Sequence, residues 1–223
     1  MGLSNSNSGN TTFVGITGGK FAVSVEEGTE GAVRRDWEVG DKKGTKYELL
    51  YSELSGIITS VSYHESNYGE QLNITVNDNG ESNTISLKAT GDHAIQFAEK
   101  LPKVDLSKPV LLIPKEEASK RKPGFTERKL LIIQDGKSVP THYYDFDKKE
   151  NCNGIPEPSP KIAKEKNAAK KKALWANYFN IDRYFFLHDE VEKIAKTIAD
   201  APAPVAKAPA VEKEEDENQD LPF

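Results

Sequence analysis

Two basic stretches that also contain aromatic rings are the residues with the clearest potential for chemistry. Residues 34–51 read RRDWEVGDKKGTKYELLY, and residues 115–129 read KEEASKRKPGFTERK. Lysine and arginine neutralise phosphates, while a flat ring stacks on any unpaired base with a gain of about 1–3 kcal/mol. The two stretches therefore predict a surface for single-stranded nucleic acid. We expect its contacts to be Arg34, Arg35, Trp37, Lys42, Lys43, Lys46, Tyr47, Lys88, Lys120, Arg121, Lys122, Phe125 and Arg128.

The rings in these stretches could instead belong to a hydrophobic core. Tyr47 and Tyr51 share one side of a strand pattern with Leu49, so core packing and ligand contact are equally open for them. Trp37 and Phe125 lie among polar and charged residues in segments expected to be loops, where burial is less natural. We expect these two rings to contact the ligand.

Patterns for catalysis or cofactor binding are missing from the sequence. The glycine-rich stretch at 15–20, GITGGK, is one residue short of a phosphate-binding loop and has phenylalanine where magnesium needs a hydroxyl. The four histidines are scattered, and the one cysteine excludes an intrachain disulfide and a thiolate cluster. We expect no metal, no cofactor and no enzymatic activity. Carboxylate pairs that meet only in the folded chain leave no such pattern, so an enzyme stays an alternative.

Hydrophobic periodicity indicates the elements that must position the two stretches. We expect strands at 21–25, 46–51, 54–65, 70–78, 83–88, 109–114 and 128–135, and a helix at 91–101. The first two strands would form an extra hairpin around a polar loop that contains Trp37. The remaining order of three strands, a helix and two strands is typical of a five-stranded Greek-key barrel of the OB type. The predicted fold is mainly β with helical additions (α+β).

One side of the predicted sheet is polar. Its side chains would be Asn73, Thr75, Thr84, Ser86 and Lys88. These residues would present hydroxyls, amides and one ammonium group. Because no aromatic residue belongs to this side, it could be an ordinary solvated surface rather than part of a binding site.

The segment after the barrel is expected to be helical at 161–179 and 188–200. Six lysines within 161–172 precede a docking face of Leu174, Trp175, Tyr178 and Phe179. The lysines could contact nucleic acid, the helix could simply pack through Trp175, or both could hold.

The acidic charge is concentrated at the end of the sequence. From residue 201 onward there are six acids and two lysines, which give −4 of the net charge of −5. We expect a flexible N-terminus at 1–12, an OB domain at 13–145, a loop and packed helices at 146–200, and a disordered Ala/Pro linker with an acidic tip at 201–223. No apolar run predicts a membrane span or a signal peptide, so we expect a cytoplasmic protein.

The tip DENQDLPF resembles the C-terminal tip of bacterial single-stranded DNA-binding proteins, in which acids precede Ile/Leu-Pro-Phe, and the Pro/Ala linker resembles their spacer. The longer body, with two helices after the barrel, is similar to bacteriophage single-stranded DNA-binding proteins, which would act in a bacterial host. The resemblance implies that the tip binds replication, recombination and repair proteins such as a polymerase, helicase, primase or nuclease. The residues implied are Asp220, Leu221, Pro222 and Phe223. It also implies that the tail can fold over its own DNA groove.

The leading hypothesis is therefore a sequence-independent single-stranded DNA-binding protein of DNA replication, recombination and repair. One alternative is a nucleic-acid-processing enzyme that uses an OB domain to hold its substrate. The other is a protein-interaction adaptor, in which the basic and aromatic stretches would be coincidental.

Overall fold

The computed structural model describes residues 11–39, 41–119 and 123–200. The strands are β1 (Thr11–Thr17), β2 (Lys20–Val25), β3 (Val33–Val39), β4 (Lys42–Tyr51), β5 (Leu54–Ser66), β6 (Gly69–Asp78), β7 (Glu81–Lys88), β8 (Val110–Ala118), β9 (Thr126–Gln134), β10 (Lys137–Ser138), β11 (Tyr144–Asp145) and β12 (Glu150–Asn151). The helices are α1 (Asp92–Lys100), α2 (Pro160–Lys164), α3 (Ala168–Asn177) and α4 (Arg183–Asp200). The prediction of a mainly β fold with additional helices is confirmed.

Ten of these strands form one mixed sheet in the order β10-β9-β8-β5-β6-β7-β1-β2-β4-β3. All neighbouring strands are antiparallel except β1 and β7, which are parallel. The five strands expected to form the barrel, β5 to β9, are present with α1 between β7 and β8. A closed five-stranded barrel is not confirmed, because the sheet is open and no ladder among the described residues joins β7 to β9. Instead, β1 occupies the edge of β7.

The segment around Trp37 is a strand, so the prediction of a loop there is wrong. β3 pairs with β4 along its whole length, from Val33 opposite Glu48 to Val39 opposite Lys42. Its charged residues obscure the strand pattern in the sequence, but Glu38 lies directly opposite Lys43 on β4, and such a pair of opposite charges stabilises a hairpin. The strand β1 before the glycine turn was also not predicted.

The core lies on one side of the sheet and is closed by two helices. Leu72, Ile74 and Val76 of β6 are completely buried, which confirms the alternation expected for that strand. The helix α1 contributes Phe97, and α4 contributes Leu187, to the same hydrophobic cluster. Where α1 and α4 cover it, this side of the sheet is therefore inaccessible to a large ligand.

The C-terminal helices are arranged differently from the prediction. The helix expected at 161–179 is divided into α2 and α3, and α3 is joined to α4 by a π-helical turn at Tyr178–Asp182. Of the expected docking face, only Tyr178 is buried; its hydroxyl donates to the carbonyl of Pro156 at 2.9 Å. Among the described residues, no helix combines the length and apolar character needed to cross a membrane.

Candidate nucleic-acid interface

The side chains that alternate with the core residues project from the opposite side of the sheet, which we call the outer sheet face. It spans the neighbouring strands β6, β7, β1, β2, β4 and β3. Its members on β6 and β7 include Gln71, Asn73, Thr75, Thr84, Ser86 and Lys88. Its members on the other four strands include Phe13, Thr17, Lys20, Val33, Arg35, Trp37, Lys42, Gly44, Lys46 and Glu48.

An exposed aromatic ring, Phe13, lies in the middle of the outer sheet face. It pairs across β1 and β7 with Thr84, which in turn is opposite Thr75 on β6. The ring of Phe13 is 69% exposed. The expectation that this side of the sheet lacks aromatic residues is therefore wrong. The alternation of Phe13, Gly15 and Thr17 with the apolar residues Val14 and Ile16 was the sequence signal for this strand.

The polar side chains around Phe13 already bond to one another. The hydroxyls of Thr75 and Thr84 lie 3.1 Å apart, and the hydroxyl of Ser86 donates to the side-chain oxygen of Asn73 at 2.8 Å. The hydroxyl hydrogen of Ser86 and that of one of the two threonines are therefore used within the face and are not directed outward. This part of the face offers a smooth polar surface rather than a set of aimed donors.

Trp37 lies at the other end of the face and is positioned by the neighbouring strand. Its cross-strand partner is Gly44. A Cβ atom built on Gly44 would be 2.6, 2.7 and 2.9 Å from three atoms of the indole, so the ring covers this glycine. The residue is 37% exposed, which leaves part of the ring open to solvent.

A buried carboxylate holds two of the cations in place. Glu48 is only 3% exposed and forms ion pairs with Lys46 and with Arg35, whose Nη1 lies 3.6 Å from Oε2. Arg35 Nη1 also donates to the hydroxyl of Thr17 on β1. Two cations share one acid here, so a positive charge remains, and both cations are fixed at the outer sheet face.

The outer sheet face is positively charged although the chain as a whole is acidic. Its strand residues carry five cations, Lys20, Arg35, Lys42, Lys46 and Lys88, against one acid, Glu48, so their net charge is +4. Within the described part of the chain, Lys20, Lys42 and Lys88 form no ion pair. These three ammonium groups remain available to an anionic ligand.

The other predicted contacts of the first stretch lie on the opposite side of the β3–β4 hairpin. Arg34 Nη2 is 3.2 Å from Asp36 Oδ1, and the hydroxyl of Thr45 donates to the same oxygen at 2.7 Å. The hydrogen bond from Thr45, followed by the charge of Arg34, holds the pKa of the Asp36 carboxyl below its usual value. The charge of Arg34 is thus compensated.

Lys43 and Tyr47 are also directed to this opposite side and have acidic partners. Lys43 Nζ lies 3.1 Å from Glu38 Oε1. The Tyr47 hydroxyl donates to Glu27, and this hydrogen bond is the main cause of the raised pKa of the tyrosine. The structure therefore divides the predicted set, with Arg35, Trp37, Lys42 and Lys46 on one side and Arg34, Lys43 and Tyr47 on the other.

The second basic stretch forms the β8–β9 hairpin. Phe125, just before β9, is exposed, whereas Arg128 Nε lies 3.1 Å from Glu116 Oε1 on the facing strand. The three predicted cations between these two strands in the sequence, Lys120, Arg121 and Lys122, lie outside the described residues.

The two basic stretches approach each other through the turn between β1 and β2. A Cβ atom on Gly19 would be only 2.7 Å from the backbone nitrogen of Glu116, so the turn packs tightly on β8. Gly19 has a φ of +71°, which favours glycine for a second reason. Since Thr17 in the same hairpin accepts from Arg35, the part of β8 around Glu116, near the end that leads to β9, adjoins the outer sheet face.

Another exposed ring, Tyr68, was missed by the sequence analysis. It lies in the turn between β5 and β6, and its backbone nitrogen donates to the hydroxyl of Ser66 at 3.1 Å. The turn residues around it gave the only sequence signal.

The predicted partner-binding residues Asp220, Leu221, Pro222 and Phe223 lie outside the described residues. Within the described part, no group of three or more His, Cys, Asp and Glu side chains is arranged to hold a metal ion. Comparison of the chain with protein-family models, curated proteins and solved structures finds no match.

Proposed function

We propose that this protein binds single-stranded DNA without sequence preference, through the outer sheet face, in DNA replication, recombination and repair. The observation that carries the proposal is the composition of that face: five cations against one acid, together with the exposed rings of Phe13 and Trp37. Cations attract the phosphates, and rings stack on unpaired bases.

The strand order supports an OB-type core for this function. In space the order is β9-β8-β5-β6-β7, with α1 between the third and fourth of these strands along the chain. OB domains are partly open barrels that bind oligonucleotides on the face of their second and third strands. The corresponding strands here are β6 and β7, whose outward residues belong to the outer sheet face.

The hydrogen bonds on the face support binding without sequence preference. Base sequence is read by donors and acceptors directed at base edges. The hydroxyls of Thr75 and Ser86 are instead engaged with Thr84 and Asn73. Stacking is left as the main contact with bases, and stacking tolerates every base and requires an unpaired strand.

We further propose that the acidic tip recruits replication and repair proteins through Asp220, Leu221, Pro222 and Phe223. The support is the sequence itself: a charged segment that ends in three apolar or ring-bearing residues suits a basic, apolar pocket. In this role the protein is a binding protein and not an enzyme.

A protein-interaction adaptor is the second candidate, because Val33 is exposed on the same face as Phe13 and Trp37. An exposed apolar surface of this kind also fits a protein partner. Such a partner would not require the unpaired cations of the face, so the dependence of binding on salt separates the two functions.

The deciding experiment is a fluorescence titration with single-stranded and duplex oligonucleotides at several salt concentrations. We expect tight single-strand binding that weakens steeply with salt, and weaker duplex binding. Phe13→Ala should lower single-strand affinity by about 1–3 kcal/mol. Phe146→Ala is the control, because this residue is as exposed as Phe13 but lies after β11, away from the face. Equal affinity for duplex and single strand, or an unchanged Phe13 variant, would contradict the proposal.

A further inference from the structure

A second cluster of cations lies on α2, on α3 and in the segment between them, apart from the outer sheet face. It consists of Lys161, Lys164, Lys166, Lys170, Lys171 and Lys172. All six are exposed, and none forms an ion pair with another described residue. This differs from the β3–β4 hairpin, where Lys43 and Arg34 each have an acidic partner.

Packing against the core does not explain why the residues of α3 form a helix. None of its ten residues is buried. An isolated helix of that length is marginal in water, and most helices in proteins are stabilised by an apolar face packed on a core. Here α3 continues into α4 through the π-helical turn. Its N-terminus is capped by the side chain of Asn167, whose oxygen accepts a hydrogen bond from the backbone nitrogen of Lys170 at 3.0 Å. The helix is held at both ends while its surface stays open.

Two stacked rings follow the lysines. Trp175 and Phe179 are 36% and 45% exposed, and their ring centres lie 5.5 Å apart with an angle of 19° between the planes. The guanidinium carbon of Arg183 lies 5.6 Å from the centre of the Phe179 ring. Arg183 is fixed in turn by an ion pair with Glu99 of α1. The stack is therefore anchored to the body of the protein at its Arg183 end.

The other end of the stack adjoins the lysines. Lys171 and Lys172 precede Trp175 by four and three residues, and residues at these spacings are neighbours on a helix surface. A partly exposed indole thus has two unpaired ammonium groups beside it. A base on the ring and phosphates on the ammonium groups would use both features at once.

We propose that α2 and α3 form a second contact for single-stranded DNA, in which the lysines neutralise phosphates and one base stacks on Trp175. The inference rests on the proposed function for the identity of the ligand, but it concerns a separate set of residues. α3 is about 15 Å long, so the contact would lengthen the strand that one protein molecule covers.

The experiment uses Trp175 as a reporter. The chain has two tryptophans, so Trp37→Phe leaves Trp175 alone. This variant is titrated with oligo(dT) of about 8 and about 35 nucleotides, because one OB domain covers about 4–16 nucleotides. We expect the long oligonucleotide to quench Trp175 and the short one to bind with little quenching.

A charge variant tests the lysines. Replacement of Lys170, Lys171 and Lys172 by Gln should reduce the slope of log affinity against log salt by about 2 for the long oligonucleotide and leave the short one unchanged. Glutamine keeps the helix propensity of lysine, so α3 should persist. A variant with Lys137, Lys148 and Lys149 changed to Gln has the same net charge and is the control.

The outcomes separate this inference from the proposed function. If the intact protein does not bind the short oligonucleotide, the proposed function fails and the inference with it. If the short oligonucleotide binds but the long one neither quenches Trp175 nor responds to the lysine variant, only the inference is overturned. A third result would also overturn the inference: deletion of residues 212–223 changes the Trp175 emission in the absence of DNA, whereas addition of DNA to the Trp37→Phe variant does not change it. The lysine cluster would then bind the acidic tail and not DNA.

Discussion

The indole ring of Trp37 covers Gly44, its cross-strand partner in the β3–β4 hairpin. Three ring atoms lie within 2.9 Å of the position that a Cβ atom on Gly44 would take, so no side chain fits there without moving the ring. Gly44 does not adopt a left-handed backbone conformation. Glycine is therefore required here because the ring occupies the space of a side chain, and not because of the backbone conformation. The hairpin thus holds the ring in one orientation on the outer sheet face.

Because of this contact, a side chain introduced at Gly44 would displace the indole of Trp37 without removing it. We expect Gly44→Ala to weaken single-stranded DNA binding by part of the loss caused by Trp37→Ala, which should be about 1–3 kcal/mol. The same loss is expected for Phe125→Ala. Fluorescence titrations cannot use Trp37 here, so labelled oligo(dT) and anisotropy are the measurement. A large drop in melting temperature with unchanged binding of the folded fraction would mean that the ring belongs to the core.

Lys42 and Lys43 are adjacent in sequence but lie on opposite sides of the hairpin. Lys42 shares the outer sheet face with Trp37 and has no ion pair within the described residues, whereas Lys43 lies 3.1 Å from Glu38. We expect Lys42→Gln to lower the salt slope of single-strand binding by about 0.7, the contribution of one phosphate contact, and Lys43→Gln to change it less. The two variants have the same net charge, and their substitutions lie at adjacent positions in the sequence. Equal slopes for both would show that the hairpin acts only through its total charge.

The apolar tip and the acids of the tail should have separable effects. We expect Phe223→Ala to abolish capture of replication or repair proteins with little change in DNA affinity, since it removes the ring and keeps the charge. Deletion of 212–223 should also abolish capture, and DNA affinity should stay the same or rise because a competing polyanion is removed. Pull-down from host extract and DNA titration are the two measurements. Retention of every partner by the Phe223 variant would contradict the role proposed for the tip.

Local patterns in the sequence predicted the elements that have a clear period. The strict alternation in β6 and the apolar face of α1 were sufficient because each is set by neighbouring residues. β1 was missed although Phe13, Gly15 and Thr17 alternate with Val14 and Ile16, because this pattern is short and the partner strand β7 lies about seventy positions away, which no local pattern records. Phe13 was missed for the same reason.

The division of the candidate site could not be read from composition. Arg34 and Arg35, like Lys42 and Lys43, are equivalent in a sequence interpreted as a loop. Once β3 is known to be a strand, successive side chains must point to opposite sides, and the register with β4 then decides which cation meets an acid. Register depends on the whole sheet, so the sequence predicted the types of residue in the site but not their grouping.

Stability at acidic pH should depend on His93, the second residue of α1. Its side chain is buried, Nε2 has no hydrogen-bond partner among the described residues, and burial lowers its pKa below the usual 6.5. The carboxylates of Glu116 and Asp92 act in the opposite direction, and Arg128 acts in the same direction as burial. In the unfolded chain the histidine takes up a proton first as the pH falls. The free energy of unfolding should therefore decrease as the pH falls below about 6.5, by up to about 1.4 kcal/mol for each unit by which the pKa is lowered.

Burial also lowers the pKa of His142, so His93→Gln should remove only part of this decrease. Urea unfolding midpoints between about pH 7.5 and pH 5 measure it, with His64→Gln, a change to an exposed histidine on β5, as the control. A His93 variant whose midpoint falls with pH as steeply as that of the intact protein would show that this histidine does not set the acid limit.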